Sequence, residues 1–149
     1  MYAPHTVTLY NVFVDVDQNT LEEVERTYTT ILHGVFLDEA KGVNVRASGL
    51  ESADGATLYI PFNVRATDGV TGATKRFVPP LEFIKAENKT RVWTLDAGRN
   101  TYFIKGVVVS GNETPMHAQI SHDGVWSVTK VDAKDFGSLS MRHWEVGGK

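Results

Sequence analysis

The chain has 149 residues, 42% of them hydrophobic and 22% charged, with a net charge of −3 and no cysteine. That is enough for one domain, burying roughly two-thirds of its unfolded surface without covalent staples. It excludes disulfide scaffolds, cysteine-ligated zinc, iron–sulfur clusters and thiol catalysis, and no apolar run approaches the ~20 residues of a membrane-spanning helix.

Val7 to Val16 is dense in β-branched and aromatic residues and predicts a strand. Asp17-Gln18-Asn19 then supplies turn chemistry. A second extended run covers residues 23–37. Strict alternation puts Thr27, Thr29, Ile31, Val35 and Leu37 on one face and Tyr28, Leu32 and Phe36 on the other. Together the two runs predict a long N-terminal hairpin. Residues 38–54 read as a loop with one weak strand at 43–46. Ala56 to Phe62 predicts a strand with Leu58, Ile60 and Phe62 on one side. Pro61 cannot donate a ladder hydrogen bond, so this strand ends there or lies at an edge. Residues 65–80 hold Asp68-Gly69, Gly72 and Pro79-Pro80 and little that is apolar. They predict a long, polar, mobile loop, and loops of that length are commonly functional.

Leu81 to Ala86 predicts a short helix or a packed segment, and Trp93 to Leu95 a short strand before a turn at 96–100. Thr101 to Val109 is the most strand-like segment of the chain. Thr114 as cap and Pro115 at the first helical position predict one helical turn over 115–120. Residues 125–131 and 141–146 predict the last two strands. The expected fold is mainly β: a single domain over 1–149, a barrel or sandwich of about 7–8 strands with at most one short helix.

The catalytic and ligand-binding motifs fail on spacing. Asp15-Val-Asp17-Gln-Asn19 begins like a calcium loop, but Thr20 and Arg26 stand where that loop needs Gly and Glu. Gly69, Gly72 and Lys75 are misplaced for a phosphate loop. Ser127-Val-Thr-Lys130 matches a nucleophile pattern that needs a helix, whereas a strand points its two ends to opposite faces. No two of His5, His33, His117, His122 and His143 have the helical spacing of a zinc protease. His143 and Glu145 share a strand face but need a third ligand to hold a metal. No residue stands out as a nucleophile or a general base, and no catalytic residue, cofactor or metal is assigned.

Trp93 and Trp126 are expected in the core. Trp144, five residues from the C-terminus, must be held by a final strand or docked on another subunit. His143, Trp144 and Glu145 are therefore candidate subunit-interface residues. Residues 1–75 carry a net charge of −5, residues 76–149 carry +2 and the stretch 75–105 carries +4. Such asymmetry suits head-to-tail contact between copies.

Thr6-Val-Thr-Leu-Tyr-Asn11, Leu32-His-Gly-Val35, Ser52-Ala-Asp54 with Leu58-Tyr-Ile-Pro61, and the closing His143-Trp-Glu-Val-Gly-Gly-Lys149 occur in that order. This series resembles small structural proteins of tailed phages and prophages of Gram-positive bacteria, encoded among the genes that join capsid to tail. The resemblance implies a virion connector and not an enzyme: a small β-barrel in a head-closure ring below the portal. It also implies contact with portal or adaptor and tail proteins, and a place in the virion after assembly in the host cytoplasm. Met1 to His5 lacks the basic and apolar regions of a signal peptide, and no membrane association is expected. The 65–80 loop, with Lys75 and Arg76, would then reach the ring lumen or contact a neighbouring ring; if it faces the lumen, Lys75 and Arg76 would meet the phosphates of packaged DNA without sequence preference. A tail terminator or another neck protein is the near alternative. An alternative of another class is an OB-like barrel gripping an oligonucleotide or sugar through Tyr102, Phe103 and Lys105.

Overall fold

A computed structural model describes residues 2–40, 43–46, 49–52, 55–98, 100–108 and 124–149. The helical turn predicted at 115–120, with Thr114, His117 and His122, lies outside the described residues, as do Ala53 and Asp54. The strands are β1 (His5–Val16), β2 (Glu23–Ala40), β3 (Val43–Arg46), β4 (Gly49–Ser52), β5 (Gly55–Pro61), β6 (Arg65–Asp68), β7 (Arg76–Phe77), β8 (Val92–Trp93), β9 (Thr101–Lys105), β10 (Trp126–Lys134) and β11 (His143–Gly148). One short helix, α1 (Pro80–Lys85), lies between β7 and β8.

A seven-stranded antiparallel sheet runs β1-β9-β10-β11-β5-β2-β6, and β1 also pairs with β2. The sheet therefore closes on itself as a ring of six strands, with β6 as a seventh. The length of β2 makes this possible. One edge holds β1 from Glu23 to Val35, while the other holds β6 at Thr30–His33 and then β5 at Phe36–Ala40. Residues 38–54 hold not one weak strand but the end of β2 and an antiparallel β3–β4 pair. Residues 65–80 are not a long loop: β6 and β7 occupy both ends of the segment.

Leu32 and Val35 were expected on opposite faces of β2, yet both are buried in one core with Leu37, Leu58, Ile60, Phe103 and Val146. The reason is a bulge. His5 pairs with Val35 and Thr6 with His33, so Gly34 has no opposite residue, and it adopts a left-handed φ of +85°. One extra residue reverses the parity of the strand beyond it. Phe36 keeps to the outer face, opposite Tyr59.

Trp93 and Trp126 lie in this core as expected. Gly148 closes it from the C-terminal side. A Cβ there would stand 2.8 Å from the Phe103 ring and 2.9 Å from the Trp126 Cβ. Gly148→Ala is expected to destabilise the fold by about 1–3 kcal/mol through overpacking, read as a lower urea midpoint.

Antiparallel pairing also sorts the connections. Strands β1, β5 and β10 run one way around the ring, and β2, β9 and β11 run the other. One end therefore carries the N-terminus, the ends of β2 and β9 and the C-terminus. The opposite end carries the β1–β2 turn, the β5–β6 turn, the β10–β11 connection and the approach to β9. This second end is where the candidate site lies.

Candidate functional site

Four aromatic rings gather at the second end. Trp93 is 1% exposed, and its ring meets Phe77 edge-on at 5.1 Å and Trp144 at 5.7 Å. Trp144 also packs on Phe62 at 4.5 Å and Phe77 at 4.4 Å. The alternation of β11 turns Trp144 inward with Val146, which leaves His143 and Glu145 on the outer face. Of the two arrangements expected for Trp144, the final strand accounts for its position: the ring belongs to the domain's own core edge and stays half-buried.

His143 Nε2 lies 3.2 Å from Glu145 Oε1, and its Nδ1 lies 2.7 Å from the Met141 carbonyl oxygen. Among the described residues, no cluster of three His, Asp or Glu side chains stands ready for a metal. The His143 ring continues a row of half-buried outer-face rings through Tyr59 and Phe36 to His5, at successive centroid distances of 5.9, 5.7 and 5.5 Å.

Lys75 is not placed to meet DNA. Its side chain is buried, and its Nζ lies 3.2 Å from Asp68 Oδ1. The ammonium donates to the Thr29 carbonyl at 3.1 Å and to Thr30 Oγ1 at 2.9 Å. All three of its donors thus have acceptors inside the protein. Asp68 Oδ2 accepts from the N–H groups of Val70 and Thr71 and from the Thr71 hydroxyl. Gly72, at φ +74°, donates to the Asp68 carbonyl. The expected mobile loop is therefore a short turn, closed by the buried Asp68–Lys75 ion pair and tied to β2 by the Lys75 hydrogen bonds. Arg76, one residue further on, is exposed.

Large apolar side chains are exposed at this same end. The hairpin formed by β1 and β2 overhangs the ring and exposes Val14, Val16, Leu21 and Val24. Helix α1 packs on its flank through Phe83, which meets Tyr28 edge-on at 6.1 Å, and it exposes Leu81 and Ile84. Between them lies a groove of roughly 200 Å³ lined by Phe13, Val14, Pro80, Phe83 and Ile84 among others. Half-way around the ring, the β10–β11 connection exposes Phe136 at 71%, Leu139 at 78% and Met141 at 51%. Val70 caps the β6 turn. Among the described residues, only Tyr2 and Val107 expose large apolar side chains elsewhere.

A family model matches residues 2–149. The chain belongs to the family described as family of unknown function, DUF6751. No curated protein and no solved structure matches it.

For this DUF6751 chain the sequence reading found Trp144 but missed its neighbours on the β10–β11 connection. A signal was present. Phe136-Gly-Ser-Leu-Ser-Met141 places three large apolar residues in a Gly/Ser-rich connection, where turn chemistry alone would favour polar residues. Single exposed apolar residues are ordinary, and only the fold reveals that these share an end with the hairpin and α1.

Proposed function

We propose that this DUF6751 protein is a non-enzymatic structural subunit of a tailed-phage or prophage virion, a component of a head-closure ring at the head–tail junction. The observation that carries the reading is the gathering of exposed apolar side chains at one end of the closed sheet. A surface of that kind is commonly covered by another protein chain. The ordered sequence resemblance supplies the virion context. A mainly-β domain whose strands close in a ring accords with the small barrels expected of head-closure proteins. Its partners in this reading are further copies of itself, a portal or adaptor protein and a tail protein. Any contact with packaged DNA falls to exposed bases such as Arg76. The OB-like alternative loses its platform, because Phe103 is 0% exposed.

Electron microscopy of lysates from a phage or prophage deleted for this gene tests the proposal. Separate heads and complete free tails are expected. Heads with absent or overlong tails would reassign the protein to tail termination, and normal infectious particles would overturn the virion role.

A further inference from the structure

We infer that the acidic β1–β2 hairpin of one copy docks on the basic, apolar β10–β11 flank of the next, in a head-to-tail contact that repeats around an assembly. The inference rests on the ring-subunit reading and names its two surfaces.

The hairpin beyond the closed ring, residues 14–26, holds Asp15, Asp17, Glu22, Glu23 and Glu25 against Arg26, a net charge of −4. The Lys89 ammonium, at the hairpin's base beside Phe13, is already engaged. It sits 4.3 Å over the Phe13 ring and donates to the carbonyls of Ile84 and Ala86.

The opposite flank carries the other sign. Lys134 and Arg142 bracket the β10–β11 connection, and Arg65 opens β6 just past the Phe62 turn, whose N–H donates to the Arg142 carbonyl. Arg76 adjoins Phe77 of the aromatic cluster. The acids on this flank are Asp135, 3.5 Å from Arg142, Glu145, 3.2 Å from His143, and Asp132, which lies opposite Glu145 and 3.0 Å from Lys130. Five bases against three acids leave +2. The flank is thus basic around exposed Phe136, Leu139 and Met141, while the hairpin is acidic around exposed Val14, Val16, Leu21 and Val24. Both charge and apolar character match.

The strand order keeps the two surfaces apart. The β1–β2 and β10–β11 pairs stand on opposite sides of the six-strand ring. They open at the same end but cannot meet within one molecule. Two unlike surfaces on opposite flanks make a heterologous contact, which closes into rings when the rotation between copies permits.

The hairpin tip adds a second observation. Leu21 has a φ of +58° and is 77% exposed. The turn itself fixes this conformation: the Leu21 N–H donates to the Asp17 carbonyl and the Asp17 N–H to the Glu22 carbonyl. A left-handed φ is unfavourable for a leucine, and the side chain stands exposed at the tip of the acidic hairpin.

Sedimentation velocity of the purified chain, from micromolar to about 1 mM, tests the contact. Wild type is expected to self-associate. The hairpin variant Glu22→Lys/Glu23→Lys/Glu25→Lys and the flank variant Arg65→Glu/Lys134→Glu should each weaken association by about tenfold or more. An equimolar mixture of the two should recover it, because each then offers the other a complementary surface. Leu21→Asn relieves the strain, so it should melt higher than wild type and associate more weakly. A wild type that stays monomeric throughout, association indifferent to both charge variants, or a mixture that recovers nothing would overturn the contact. The two proposals fail separately. An associating protein whose deletion leaves normal particles keeps this contact and loses the virion role. A strictly monomeric protein whose deletion parts heads from tails does the reverse.

Discussion

Lys75→Met is expected to destabilise the protein by about 3–5 kcal/mol, the cost of leaving one member of a buried ion pair without the other. The Lys75 and Asp68 side chains are 0% and 6% exposed and 3.2 Å apart. Removing the ammonium strands the Asp68 carboxylate, takes the Thr30 hydroxyl's donor and leaves the Thr29 carbonyl with the Gly69 N–H alone. Asp68→Asn should be costly for the same reason, and it also weakens the acceptor that the turn N–H groups share. Replacing both partners by apolar residues should cost less than the two single costs together, because no unpaired charge remains. Urea titrations of the four species measure this directly. Additive losses would show that the pair is not coupled.

The pair also has a pH signature. Burial pushes the Asp68 carboxyl up, but the Thr71 N–H, the Lys75 charge and hydrogen bond and the Val70 N–H together outweigh it and hold the group below its ordinary value. A depressed carboxylate contributes stability above its unfolded value of about 3.9 and loses it as pH falls through the lower folded value. His33 acts earlier on the acid side. Burial lowers it first and the Arg65 charge second. The neutral ring is favoured in the fold, so stability falls once pH drops below about 6.5, the unfolded value, toward the folded one. Lys75 acts at the alkaline side. Burial lowers it, against the opposing Asp68 charge and hydrogen bond. The unfolded chain then holds its proton to higher pH than the folded one, and this group's contribution rises with pH until about 10.4. In Asp68→Asn the acid loss below pH ~4 should flatten, while the step below pH ~6.5 persists.

Trp93→Ala should cost about 3–5 kcal/mol, the range for deleting a large buried aromatic side chain. The substitution empties the centre of the cluster and removes the inner support of both Phe77 and Trp144. At this chain length the loss corresponds to a melting point lower by about 10 °C. Trp144→Ala should cost less, since its ring is only half-buried, but more than the change at a purely exposed contact residue, which usually stays within ~0.5 kcal/mol. Thermal melts of the isolated protein decide between the two roles of Trp144. A stability unchanged by Trp144→Ala would return that residue to a purely intermolecular role.

The strands were legible because their chemistry is local. Val7 to Val16, 23–37, Ala56 to Phe62 and Thr101 to Val109 carry dense β-branched and aromatic runs with turn residues between them. The bounds that slipped did so for tertiary reasons. Strand β9 stops at Lys105 because Gly106 turns away at φ +89° while its N–H donates to the Thr6 carbonyl. The parity of β2 changed at Gly34, since a bulge is a property of two paired strands and alternation is a property of one. The segment 65–80 read as a loop because Asp68, Gly69, Gly72 and Lys75 are turn-like or polar one by one. Their burial becomes visible only when Asp68 and Lys75 satisfy each other against β2.

Composition and periodicity by themselves settled that this chain is a mainly-β domain without thiol chemistry, and that Trp93 and Trp126 belong to its interior. They did so because burial period and apolar content act over a few residues at a time. Only the tertiary structure decided that Lys75 is an internal ion-pair partner, that Trp144 braces its own domain, and that Leu21, Ile84 and Phe136 share one end of a closed sheet. Each of those facts depends on which strands pair. Residues 21 and 136 are brought to the same end by strand direction and ring closure, and neither is encoded in any one segment.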